Sequence, residues 1–176
     1  MAHSTSSDAF SRFMAAVVMG LMLGGPLALL LIWLNFGALE AYVTAQFGVP
    51  GIASITLESK ALAAIVTFLR LGLGVLGLYH LRRMFLEGAA GRPLSAASVS
   101  AFRRFSWAAL AYAVAAPLER TLVILIFTMG NPQGQRMFAF GVDTSDAYVI
   151  LLGLLVVAAA EVFHRAHPSP PDEDAG

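Results

Sequence analysis

The chain has 176 residues, 58% of them apolar and 12% charged, with 11 basic and 11 acidic side chains in balance. Soluble domains carry about 25% charged residues, so the composition argues against an ordinary water-soluble domain and makes the placement of charge more informative than its sum. Cysteine is absent, which removes disulfides, thiol catalysis, thioether-linked haem and cysteine-based zinc or iron–sulfur centres.

Residues 1–11 (MAHSTSSDAFS) are small and polar and read as a disordered tail. Four long apolar runs follow, at 13–36, 61–81, 105–129 and 147–163. Each is near or above the ~18–20 residues a helix needs to cross ~30 Å of hydrocarbon. The expected fold is an all-α membrane protein, a four-helix transmembrane domain over 12–166, with a disordered acidic tail at 167–176. The first run exceeds the ~7–15-residue core of a signal peptide and no A-x-A-like site follows it, so it is expected to stay as the first membrane helix.

On that helix Gly20-x-x-x-Gly24 fits a packing face. Packing within the bundle is the expected use, and a homo-oligomer is the alternative. Met14, Met19 and Met22 share no face and read as filler. Trp33 and Phe36 are of the kind that sit at a membrane interface. In the loop 37–60, ALEAYVTAQF has helical spacing and is expected to lie flat on the outer surface. IASITLES alternates, as does RMFAFGVD at 136–143, so the two are expected to pair as a short external β-ribbon.

The second run carries Arg70 on the same face as Gly74 and Gly77, which permit close helix approach. LRRMFLEGAA extends this helix past the membrane until Gly91 stops it and Pro93 prevents continuation. Ser95 is a good N-cap, with Leu94 and Val99 at the positions of a hydrophobic staple. A helix from Ala96 to Arg104 is expected to run straight into the third run, with Phe105 and Trp107 at the interface. The connection holds Arg82, Arg83, Arg92, Arg103 and Arg104, whereas the other two loops offer only Lys60 and Arg136. Cytoplasmic loops collect Lys and Arg, so this hairpin and both termini, with Arg12 and Arg165, are expected to be cytoplasmic. Its outline resembles a DNA-binding helix–turn–helix. Fixing topology and touching anionic headgroups is the plainer use of these arginines, so no direct nucleic acid contact is expected.

The third run carries Glu119 and Arg120, with Tyr112, Ala115 and Ala116 on the Glu119 face. At ~1.5 Å per residue, Arg70 lies about 14 Å below the outer end of its helix and Glu119 about 9–12 Å below the outer surface. The two are expected to form a bridge across the second and third helices. Arg120 points ~100° away, toward a carbonyl freed by Pro117, toward Glu40 or Glu58, or outward as a snorkelling side chain. Asp143 and Asp146 mark the start of the fourth helix as a capping acid and a first-turn acid. At the inner rim lie His80, Glu161, His164 and Arg165, with Glu161 and Arg165 one turn apart as an ion pair. A bis-histidine haem between His80 and His164 is set aside, because both sit in a wet interface, and no cofactor or metal is expected.

The stretch GLYHLRRMFLEGAAGRPLSAASVSAFRRFSWAAL resembles the signature of a bacterial membrane family, domain of unknown function 2975. The matching positions are Leu81, Arg82, Phe85, Gly91, Ser95, Val99, Phe102, Arg103, Arg104 and Trp107. The likeness continues through NPQG at 131–134, Ser145-Asp146 and AEVF at 160–163. The chain departs from the family in its tail, giving HRAHPSPPDEDAG where members carry a charged REGARLQEEN-LTV segment. The resemblance implies four membrane helices in the bacterial cytoplasmic (inner) membrane, with both ends on the cytoplasmic side. It also implies a link to a small helix-turn-helix regulator encoded nearby, and supplies no biochemistry.

No nucleophile or His/Asp/Glu cluster stands in a catalytic setting, so an enzyme is not expected. The reading is a non-enzymatic regulatory or sensory membrane protein acting on a cytoplasmic partner. The alternative is a small transporter or channel subunit using the Arg70/Glu119/Arg120 site.

Overall fold

A computed structural model describes residues 2–47, 56–129 and 142–166. They form five helices: α1 (Ala2–Leu34), α2 (Phe36–Phe47), α3 (Leu57–Ala89), α4 (Ala96–Thr128) and α5 (Thr144–Ala166). Four of them are long and apolar enough to cross a membrane, α1 from Asp8 onward and α3, α4 and α5 over their full lengths. This is the architecture of a multi-pass membrane protein. Helix α1 already begins at Ala2, inside the stretch read as a disordered tail. Residues 167–176 lie outside the described residues.

The helix ends follow from local chemistry. Asn35 separates α1 from α2, and its Oδ1 accepts the Ala38 N–H at 3.2 Å, so it serves as the N-cap of α2. Thr56 caps α3 by accepting the Ser59 N–H at 3.1 Å, and Glu58 sits favourably in the first turn. This corrects part of the expected ribbon: Leu57, Glu58 and Ser59 are helical, because a capping threonine outweighs a short alternation. No strand occurs among the described residues, and residues 52–55 and 136–141 lie outside them.

The turn between α3 and α4 forms as the residues dictate. Gly91 has φ +74°, in the left-handed region where only glycine is unstrained. The Arg92 N–H reaches the Glu87 carbonyl and the Gly91 N–H reaches the Gly88 carbonyl, both at 3.0 Å. Those two bonds make a Schellman C-cap. Ser95 then accepts the Ser98 N–H at 3.1 Å, and α4 runs unbroken from there to Thr128, through Pro117. The staple is one-sided, since Val99 is buried while Leu94 is exposed.

The long helices stand in a row. Helix α1 packs on α3, α3 on α4 and α4 on α5, while α1 and α5 do not approach each other. Small residues set the spacing. A Cβ on Gly74 would lie 3.2 Å from the Tyr112 ring, one on Gly77 3.4 Å from Ala108, and one on Gly153 3.3 Å from the Leu110 Cα. The concave side of the row is an apolar cleft of about 530 Å³, touched by all four helices. Gly20 and Gly24 face open space, so the expected packing of that face within the bundle does not occur.

The best-buried core lies at one end. Leu39 and Val43, one turn apart on α2, are fully buried with Trp33, Ala63, Val123, Ile124 and Phe127. One expectation is refined here and one corrected. Helix α2 seats its apolar edge in the end of the bundle. Trp33, 3% exposed, belongs to this core rather than to an interface.

Candidate intramembrane charge site and basic end

Arg70 and Glu119 meet as their depths require. Arg70 Nη1 donates to Glu119 Oε2 at 2.6 Å, and its Nε donates to the Tyr112 carbonyl at 3.3 Å. The guanidinium also lies over the Tyr112 ring, 4.1 Å from its centre, in cation–π geometry. Gly74 makes this possible, because any larger residue there would displace Tyr112. The Glu119 side chain is only 5% exposed. A buried carboxylate is held in place only when charged hydrogen bonds replace its lost water, and Arg70 supplies one of them.

Tyr42 of α2, a residue the sequence reading missed, lies near enough to feel both charges of the pair. Burial pushes its phenol above the ordinary value of 10.0, and the nearby Glu119 carboxylate pushes it further. Only the i,i+4 apolar spacing of Leu39 and Val43 hinted that α2 would turn inward and carry Tyr42 with it.

Arg120 finds a partner other than those expected. Its Nη1 and Nη2 donate to Asp146 Oδ2 and Oδ1 at 2.9 and 3.1 Å, a bidentate pair joining α4 to the first turn of α5. Asp146 also accepts the Asp143 N–H at 3.1 Å, while Asp143 accepts the Ser145 N–H at 2.7 Å. Asp146 thus supplies the return bond of a capping box, while the Asp143 carboxylate caps through Ser145. The bonds from Ser145 and the charge of Arg120 hold the Asp143 carboxyl below its usual value. The carbonyl oxygen of Pro117 is bonded by the Thr121 hydroxyl at 2.9 Å. Glu58 is exposed.

The hairpin end is arranged differently. Arg103 Nε donates to Glu161 Oε2 at 3.0 Å, tying α4 to α5, and Arg165 reaches the other oxygen at 3.4 Å. Glu87 receives Arg92 at 3.3 Å and the Ser95 hydroxyl at 3.1 Å, bracing the turn. Arg82, Arg83 and Arg104 have no carboxylate partner among the described residues. His80 stacks edge-on against Tyr79 at 5.3 Å, its Nδ1 buried without a partner. His164 lies between Glu161 and Arg165 in position on α5. Ser11 of α1 lies against Gly88, so both chain ends gather at this end. Among the described residues no three His, Asp or Glu side chains converge as metal ligands would.

The chain matches no protein-family model, no curated protein and no solved structure.

Proposed function

We propose that this is a multi-pass protein of the bacterial cytoplasmic membrane, with the arginine-rich end and both termini in the cytoplasm. It acts without catalysis, as the regulatory or sensory partner of a cytoplasmic protein. The supporting observation is how charge is distributed. Both arginines within the four apolar runs, Arg70 and Arg120, are paired with carboxylates of neighbouring helices, whereas Arg82, Arg83 and Arg104 at the hairpin end have no carboxylate partner among the described residues. Apolar Val66, Leu69, Ala115 and Leu118 line the hollow beside Glu119. A locked pair in such surroundings suits a register pin between α3 and α4 better than a conduction site. The resemblance to domain of unknown function 2975 points the same way, toward a DNA-binding protein as partner.

Cross-linking in native membranes, then purification and mass spectrometry, tests the reading. A cytoplasmic protein should be captured by the native chain and lost from the Arg82→Gln, Arg83→Gln, Arg104→Gln triple variant. A homo-oligomer through the open Gly20/Gly24 face would appear as self-cross-linking. Equal capture by both chains, or ion flux through reconstituted vesicles, would overturn the regulatory reading. For orientation, an impermeant thiol reagent on intact cells should label a cysteine at position 58 and spare one at 90. The reverse pattern inverts the topology.

A further inference from the structure

The face of the row opposite the large cleft carries a second groove, between α3 and α4. At the hairpin end it opens as a hollow of about 490 Å³ lined by His80, Arg104 and Trp107, continuing over Leu76, Leu73 and Ala111. Leu73 also borders the next hollow, about 320 Å³, whose Leu69, Ala115 and Leu118 lead to the Arg70–Glu119 pair. The two hollows thus form one track, cationic and aromatic at the rim and apolar along its length. From His80 to Leu69 the helical rise is about 16 Å, close to the ~15 Å of one leaflet's hydrocarbon. Arg104 and Arg83 have no carboxylate partner among the described residues, and both charges reach His80. The buried Nδ1 of His80 and Nε of Arg82 also lack partners among the described residues. Arg103, on the same rim, is already taken by Glu161.

We propose that this α3–α4 groove is a binding site for one anionic phospholipid. Its phosphate is held by Arg104, Arg83 and His80 beside Trp107, and one acyl chain lies over Leu76, Leu73 and Ala111 as far as the Arg70–Glu119 pair. Charge complementarity selects the headgroup, because Arg104 at the mouth, with Arg83 near enough to act on His80, favours a bound anion there. The apolar track selects a lipid over free phosphate. Trp107, 53% exposed on the groove, has the amphipathic ring that favours the headgroup level. The site rests on this end lying at a bilayer surface, and is independent of which side that is and of any protein partner.

Trp107 supplies the probe. The only other tryptophan, Trp33, is buried in the core at the opposite end. Purified protein in mild detergent is titrated with phosphatidylglycerol or phosphatidylcholine carrying brominated acyl chains, which quench nearby indoles. Phosphatidylglycerol should quench saturably at several-fold lower concentration than phosphatidylcholine, and the effect should vanish in Trp107→Phe. Arg83→Gln with Arg104→Gln should weaken phosphatidylglycerol by about tenfold or more, since each arginine near the headgroups is worth a severalfold factor. Arg92→Gln, which removes one charge outside the groove, should leave it unaltered and controls for folding. Leu73→Phe, which fills the track without adding a second indole there, should weaken both lipids.

Equal quenching by the two lipids, or an undiminished preference in the double arginine variant, overturns the site. Competition by millimolar inorganic phosphate makes it a free-anion site, and displacement of the lipid by an acidic cytoplasmic protein makes it a protein-docking site. Either outcome overturns the lipid assignment. A regulatory partner could be lost with lipid binding intact, or lipid binding with the partner retained, so the two proposals fail separately.

Discussion

At the end closed by α2, Arg70 and Arg120 each meet a carboxylate from a neighbouring helix. There Trp33, Leu39, Val43 and Phe127 form the buried core. At the hairpin end Arg82, Arg83 and Arg104 have no such partner among the described residues, and the salt bridges that form there, Arg103–Glu161, Arg92–Glu87 and Arg165–Glu161, involve arginines 42%, 66% and 79% exposed. The contrast follows from what surrounds each charge. Inside hydrocarbon an unpaired charge costs about 2.5–3.5 kcal/mol on insertion scales, so pairing there is nearly obligatory. At a headgroup surface water and lipid phosphate compensate instead, and charge becomes available for binding.

The largest test of this contrast is the Arg70–Glu119 pair. Arg70→Leu or Glu119→Leu alone strands the other charge and should cost about 3 kcal/mol, the lower part of the range for breaking a buried pair. The double variant should recover most of the loss in thermal unfolding in detergent. A double variant equal to the sum of the singles would break the comparison, leaving Glu119 as an independent carboxylate. Next comes Asp146→Asn, which weakens both the bidentate bond to Arg120 and the capping box. With the Arg120 side chain 29% exposed, roughly 2 kcal/mol is expected, read as early release of α5 by limited proteolysis.

Smaller effects belong to the hairpin end. Ser95→Ala should lower stability by about 1 kcal/mol through loss of the cap, and Gly91→Ala by about 1–2 kcal/mol through left-handed strain. Glu161→Gln, which removes the partner of two exposed arginines, should change stability by less than about 1 kcal/mol. A larger loss would mean that this end, too, depends on its ion pairs. The smallest effect concerns pH. Asp143 has a folded value below its ordinary 3.8, so its capping contribution is present above that value and is lost as pH falls through the lower folded one. Asp143→Asn should remove that part of the acid dependence, measured as the change in melting temperature between neutral and strongly acidic pH.

Part of this was legible in the sequence. Counting residues from the ends of two apolar runs put Arg70 and Glu119 at one depth, and the glycines beside Arg70 marked a close helix contact. Gly91 and Ser95 specified their turn because left-handed backbone and N-capping are local properties. What could not be read was lateral order. Lipid and protein interior are equally apolar, so no hydrophobic periodicity separates a buried face of α1 or α5 from an exposed one. The open row therefore came as a finding, and so did the burial of Trp33 and the seating of Leu39 and Val43. Arg120–Asp146 was hidden for the same reason: both charges were noticed, but pairing them requires knowing that α5 stands beside α4. Tyr42 needed the further knowledge that α2 turns inward.

The row has a consequence for the surrounding bilayer. Four helices of ~10 Å diameter in single file present about a quarter more perimeter to their surroundings than the same four in a square. Each molecule should thus immobilise a larger shell of lipid than its mass suggests, countable as the motionally restricted fraction of spin-labelled lipid per protein. The two edges of the file, the outer flanks of α1 and α5, are where that shell is most easily exchanged.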